Sequence, residues 1–97
     1  MLIKIHKSYR NVVAICDSEL LGKRFEQGKM QFEVNEFFNG EEKPEKEVLE
    51  LMKDFSKEDV SFNIIGKQSV ACALKANIIS KEGIKTIQNV PFALVLL

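Results

Sequence analysis

Apolar and polar residues are arranged differently in successive stretches of the chain, and each arrangement predicts an element. Leu2-Ile-Lys-Ile-His-Lys7 and Tyr9-Arg-Asn-Val-Val-Ala-Ile-Cys16 are rich in strand-forming residues, with polar residues around Ser8 to Asn11 able to turn the chain. Together they predict an opening β-hairpin. Asp17 or Ser18 can cap a short helical turn through Glu19, Leu20 and Leu21 by accepting from its unpaired N–H groups, and Gly22 can end it. Met30 to Asn35 then alternates, with Met30, Phe32 and Val34 on one face, and predicts a half-buried third strand. In Phe37-Phe38-Asn39-Gly40 the Asn-Gly pair suits a tight turn with positive backbone torsions, and Glu41 to Pro44 continues as a loop.

The second half opens on the clearest helix. Pro44 fits its first turn, Glu45 and Glu47 suit its positive end, and Val48, Met52 and Phe55 recur at four and three residues, with Leu49 and Leu51 widening the stripe. Val60-Ser-Phe-Asn-Ile-Ile65 alternates as a fourth strand. Gly66 punctuates it before the Ala-rich, helix-compatible run Lys67 to Ala76, whose stripe of Val70, Leu74 and either Asn77 or Ile78 would face the sheet. Ser80 can cap another short turn ending at Gly83, followed by two β-rich runs, Ile84 to Gln88 and Val90 to Leu97. The last carries no charge and is safe in water only when covered, so it is placed as a central or partner-covered strand.

Strands at both ends with two main helices between them predict an α+β two-layer sandwich with a mixed or antiparallel sheet. Strands over 2–7, 9–16, 30–35 and 60–65 are expected to share that sheet, with helices over 45–56 and 67–77 packed on it. Length and composition agree with a single domain over residues 1–97: 97 residues, 45% apolar and 29% charged, leave no signature of disorder, and no internal repeat or low-complexity linker divides the chain.

The first apolar run is broken by Lys4 and Lys7, unlike a signal peptide, and no apolar run approaches the ~18 residues that span a bilayer. Cys16 and Cys72 have no CxxC spacing, and the chain has one histidine. Two reduced thiols, a cytoplasmic location, no metal, no cofactor and no membrane partner are the expectations. Net charge is zero but unevenly spread: residues 1–29 carry six Lys/Arg and three acids, residues 30–59 four Lys and ten acids, and residues 60–97 four Lys and one acid. If the basic ends meet in the fold, one face is positive; otherwise the charges serve solubility.

No catalytic motif is complete. His6 has no carboxylate or nucleophile fixed to it by spacing. Cys16-Asp17, where a strand meets a capped turn, has two readings: a thiol activated by a helix N-terminus, or a buried small side chain followed by a capping acid. Cys72 reads as packing within its helix. Ile65-Gly-Lys-Gln-Ser69 resembles part of a phosphate loop, but Ser61 stands where the motif needs its first glycine and Gln68 where it needs a hydroxyl. What survives is a helix start beside Lys67, able to hold an anion or simply to begin a helix. Lys23, Arg24 and Lys29 lie near Phe25, which could stack on a base or anchor the core. Glu41, Glu42, Glu45 and Glu47 lack the calcium-loop pattern and read as a solvated helix start.

Ala14-Ile-Cys-Asp-Ser-Glu-Leu-Leu-Gly-Lys23, Phe25, Phe32-Glu-Val-Asn35, Asn63-Ile-Ile-Gly66 with Val70 and Ala73, and Val90-Pro91 together resemble the archaeal family known as domain of unknown function 424. The resemblance covers nearly the whole chain. It implies an archaeal source, a compact two-layer α+β fold and, at most, RNA binding near translation genes; it transfers no active site. The family often has a polar residue, commonly His, after its Val-Pro, where this chain has Phe92 and an apolar tail. That difference favours packing over shared chemistry there.

The resulting expectation is a non-enzymatic RNA- or ribonucleoprotein-binding module associated with translation, with Lys23, Arg24, Gly66 and Lys67 as its anion contacts and no catalytic residue. The alternative is a protein-interaction adaptor or homodimer that buries the apolar C-terminal strand; a thiol enzyme centred on Cys16 is third. Charge position separates the first two. Phosphate binding needs the cations on one face, whereas an adaptor needs an exposed apolar patch.

Overall fold

The computed structural model describes residues 1–96; Leu97, the last residue of the predicted final strand, lies outside the described residues. The elements are β1 (Leu2–His6), β2 (Asn11–Cys16), β3 (Arg24–Gln27), β4 (Met30–Glu33), β5 (Glu41–Glu42), α1 (Glu45–Phe55), β6 (Val60–Ile65), α2 (Lys67–Lys75), β7 (Lys85–Ile87) and β8 (Val90–Val95). Short 3-10 turns occupy Ser18–Leu20, Glu36–Phe38 and Lys81–Gly83.

Six strands form one mixed sheet in the order β5-β1-β2-β6-β8-β7. β2 and β6 run parallel, from Asn11 opposite Val60 to Cys16 opposite Ile65, and the other pairs are antiparallel. The period-two alternation sends Ile3, Val13, Ile15, Phe62 and Ile64 to one face, where Val48 and Met52 of α1 and Val70 and Ala73 of α2 cover them. Leu2, Ala14, Cys16, Ile65 and Phe92 point the other way, into a second core with Phe25, Phe32, Val34 and Phe38. β2 is therefore buried on both faces, which explains its nearly continuous apolar run.

The α+β sandwich holds, with one correction. Residues 30–35 do not join the main sheet: β4 pairs only with β3, and this two-stranded hairpin packs on the face away from the helices. Alternation reports that one side of a strand is buried, not which sheet it belongs to. β3 itself gave no signal because Phe25 is its sole apolar residue. Phe25 packs into the second core, so the anchoring reading applies.

Three local expectations change as well. Gly40 has no positive φ; it is required because a Cβ there would lie 2.0 Å from the Ile3 carbonyl oxygen, so this glycine permits close approach rather than a tight turn. On α2 the buried stripe is Ser69, Val70, Cys72, Ala73 and Ala76, while Leu74 is half-buried and Asn77 is exposed. Asn77, at φ 59°, instead ends the helix: its N–H donates to the Leu74 carbonyl and that of Ile78 to the Ala73 carbonyl, closing a Schellman motif. The tail turns through Gln88 (φ 49°) and Asn89 (φ 66°), the two left-handed residues of a type I′ hairpin between β7 and β8.

Pro91 is accommodated in β8 by a specific division of bonds. Its carbonyl accepts from the Gly66 N–H at 2.9 Å, whereas the Gly66 carbonyl already accepts from Val70 N–H at 2.9 Å as the first bond of α2. The donor that proline lacks would face an acceptor already in use.

Candidate functional site

The parallel pair β2 and β6 ends side by side, and the chain leaves each strand through a residue singled out by sequence. Asp17 follows β2, with its N–H bonded to the Ile65 carbonyl at 3.1 Å; Gly66 follows β6 and starts α2. The Asp17 carboxylate accepts from Ser69 N–H at 2.8 Å, Ser69 Oγ at 2.7 Å and Gln68 N–H at 3.1 Å. It makes no side-chain bond to the adjacent turn Ser18–Leu20, so the residue expected to cap the following turn caps a helix some fifty residues onward. Gly66 has φ 117°, and a Cβ there would meet the Asp17 carboxylate carbon at 2.3 Å. Only glycine allows this approach.

This geometry changes the anion site expected at Gly66 and Lys67. Two amides of the α2 start are taken by an internal carboxylate, which also supplies the negative charge that the helix end favours. Lys67 is exposed beside it. Lys23 and Arg24 belong to the hairpin layer on the opposite face of the sheet from α2, and the Arg24 guanidinium is held by Glu26 at 2.9 Å and Gln31 at 3.1 Å. The expected residues thus fall into two groups on different layers.

The thiol reading is corrected too. Cys16 is fully buried, and burial first, then the neighbouring Asp17 charge, push its thiol up to about 11 instead of activating it. Cys72 is raised as well, by burial and then by Glu45. Both cysteines are free. His6 is structural: its Nε2 lies 2.8 Å from the Phe37 carbonyl oxygen and must donate to it, and the two rings stack at 4.1 Å between centroids. Among the described residues no three His, Cys, Asp or Glu side chains gather to hold a metal ion, and no helix is long and apolar enough to cross a membrane.

A different feature stands out on the hairpin face. The hairpin covers only part of the sheet, leaving a cavity of about 390 Å3 lined by Phe32, Phe37, Phe38, Asn63 and Leu94 among others. Leu94 is 53% and Leu96 is 77% exposed. Leu94 lies on β8 beyond the reach of β7, whose pairing stops at Lys85 opposite Phe92, and Leu96 follows the end of the strand. Because Pro91 bonds toward β6, alternation turns the backbone groups of residues 93 and 95 toward β6 and those of 92 and 94 away from it. Past β7 no strand among the described residues pairs with the outward groups of Leu94. The uncharged C-terminal run carried this signal in the sequence; the short reach of β7 did not show there.

The model of the family described as "Protein of unknown function (DUF424)" matches residues 6–97. The chain belongs to the DUF424 family. A crystal structure of an uncharacterized conserved protein from the archaeon Methanopyrus kandleri is similar to this DUF424 chain, with 23% sequence identity, a TM-score of 0.78, and coverage of 97% of this chain and 88% of that one. At that identity the likeness speaks for the shared fold alone. No curated protein matches the chain.

Proposed function

We propose that this DUF424 chain is a protein-interaction module that docks an extended segment of a partner on the open edge of β8. The observation that carries this reading is the unprotected edge itself. From Val90 to Leu96 no side chain is charged, two leucines are exposed, and a cavity lined by Phe32, Phe37 and Phe38 together with Gln31, Glu33 and Asn35 adjoins Leu94. Soluble proteins usually guard such edges with charges, bulges or covering segments, and strand addition is a recurrent way of using one that is left open. At the opposite edge of the sheet β5, made of Glu41 and Glu42, pairs with Leu2 and Ile3, and beyond it the Lys4 and His6 side chains hold the Glu36 and Phe37 carbonyls.

RNA binding is the second reading. It is supported by Lys23 and Lys67, which have no ion-pair partner among the described residues; against it, Asp17 takes two of the helix-start amides and the two lysines lie on different layers. One experiment separates the two. Pull-downs from native lysate with the original chain and with Leu94→Lys, each with and without nuclease, are expected to show partners that survive nuclease and are lost on the substitution. Partners that vanish with nuclease and ignore Leu94→Lys would replace this reading by the RNA one.

A further inference from the structure

We propose that the groove between β4 and the turn Glu36–Phe38 takes an extended peptide of alternating basic and apolar residues, paired as a third strand beside β4. This site goes beyond the edge of β8, since Leu94 lends it a side chain and not a strand edge. The phase of the β3–β4 hairpin sets the direction of its main-chain groups. Val34 N–H donates to the Lys23 carbonyl at 2.9 Å, and alternation carries the same inward bonding to Phe25 opposite Phe32 and Gln27 opposite Met30. Arg24, Glu26, Gln31 and Glu33 therefore turn their backbone groups outward. The Glu26 N–H shows this phase on β3, where it donates to Gln88 Oε1 at 3.0 Å. On β4 no strand among the described residues takes the outward groups of Gln31 and Glu33. The cavity of about 390 Å3 is lined by both of these residues, so the open edge and the cavity coincide.

Both walls of the groove are fastened before anything enters it. Lys4 Nζ and His6 Nε2 hold the Glu36 and Phe37 carbonyl oxygens at 3.0 and 2.8 Å, and the His6 ring stacks on Phe37. On the hairpin side, Gln88 N–H donates to Gln27 Oε1 at 2.7 Å and completes, with the Glu26 bond, a reciprocal clamp to the β7–β8 turn. A preformed groove lowers the ordering cost of binding. Charge then selects the occupant. Phe32 points into the second core, so Glu33 points to the solvent face, where the Arg24 opposite it is engaged by Glu26 and Gln31. Glu33 keeps no ion-pair partner among the described residues. A residue of the incoming strand set directly opposite Glu33 shares its face, and a basic one answers its charge. The residues on either side of it point down toward Leu94 and Asn63, beside Phe32 and Phe37, and meet a largely apolar surface. No Lys or Arg lines this cavity, so a phosphate-bearing ligand finds no countercharge there.

The test titrates the full chain against two labelled peptides of about eight residues, one alternating lysine with valine and the other glutamate with valine, followed by fluorescence anisotropy. The lysine peptide is expected to bind with a dissociation constant on the order of 100 µM, and the glutamate peptide at least about tenfold more weakly. Glu33→Lys changes an exposed side chain, so it is expected to keep the circular dichroism of the original and to reverse that order. Amide hydrogen exchange locates the bound peptide. The N–H groups of Gln31 and Glu33 are expected to gain protection in the complex with the lysine peptide. Binding by neither peptide, an order of affinities that ignores Glu33→Lys, or a bound peptide that leaves those two amides unprotected overturns the proposal. Protection gained at Leu94 instead assigns the peptide to the edge of β8, which sinks the groove and supports docking there. Glu33→Lys leaves the edge of β8 untouched, so the two sites fail independently.

Discussion

Asp17 and Ser69 lie fifty-two residues apart in sequence and share two hydrogen bonds, from the Ser69 N–H at 2.8 Å and from its hydroxyl at 2.7 Å, both to one carboxylate oxygen. The pair ties the end of β2 to the first turn of α2. Ser69 is fully buried and Asp17 nearly so, so neither partner can turn to water when the other is removed. Asp17→Ala is expected to cost about 2 to 3 kcal/mol, a lost helix cap together with a stranded buried hydroxyl. Asp17→Asn should cost less, about 1 to 2 kcal/mol, because one oxygen remains an acceptor while the new amide opposes the Gln68 N–H. Urea unfolding monitored by circular dichroism checks both. An Asp17→Ala variant as stable as the original would show that the carboxylate is dispensable to the fold.

Gly66 and Asp17 should be coupled, since a Cβ at position 66 would lie within 2.3 to 2.6 Å of the carboxylate atoms. Gly66→Ala suffers twice, from that overlap and from a backbone φ of 117° that side chains rarely adopt. A loss of about 3 kcal/mol or more is expected. Shortening Asp17 to Ala relieves the overlap and leaves the backbone strain, so the double variant should be more stable than the sum of the single losses by about 1 kcal/mol or more. A double-mutant cycle in urea measures this directly, and strict additivity would mean that the two residues do not contend for the same space.

The elements of this fold were largely legible along the chain, because helix and strand periodicities are local. α1 and β6 fall where Val48, Met52 and Phe55 and the alternation of residues 60–65 place them. What local pattern cannot carry is the choice of partner. Met30 to Glu33 reads as a strand, yet the main sheet excludes it, since its partner β3 has one apolar residue to announce itself. Asp17 reads as a cap for the nearest helical turn, and tertiary structure instead brings it a longer helix with two free amides and a hydroxyl. The surroundings of the candidate anion contacts were hidden for the same reason. Lys67 and Gly66 mark a helix start in sequence, but nothing in sequence says that a distant carboxylate fills it. The C-terminal strand was legible as apolar and in need of cover; that β7 stops after three residues is a property of the folded edge.

The two buried thiols predict how stability depends on pH. Cys16 is raised from 9.0 to about 11, so between those values the folded chain keeps a proton that the unfolded chain has released. Its contribution is fully present below pH 9 and is lost as pH rises from about 9 toward 11, by roughly 2 to 3 kcal/mol. Cys72 shifts in the same direction and adds to the loss. Chemical unfolding at pH 8, 9, 10 and 11 should show the decline, and Cys16→Ala should flatten part of it. In the native state at pH 8 both thiols should resist a maleimide reagent until denaturant is added. Rapid labelling of native Cys16 would require an opening that the closed fold does not provide.

The basic residues give the last prediction, and its sign depends on which layer each occupies. Three cations on one face with free helix amides would bind phosphate additively, each contact adding about one unit to the slope of log affinity against log salt. Here Arg24 is held by Glu26 and Gln31, Asp17 occupies the amides of Gln68 and Ser69, and Lys67 starts a helix on the opposite face of the sheet from the hairpin layer that holds Lys23 and Arg24. Fluorescence anisotropy with a labelled structured RNA at low salt should therefore show at most weak binding. Replacing Lys23, Arg24 and Lys67 together with Ala should change the salt slope by less than about one, with stability altered by no more than about 0.5 kcal/mol at each site. A slope that falls by about three in the folded triple variant would mean that the three cations act on one ligand across the edge of the sheet, and the RNA reading would then displace the docking one.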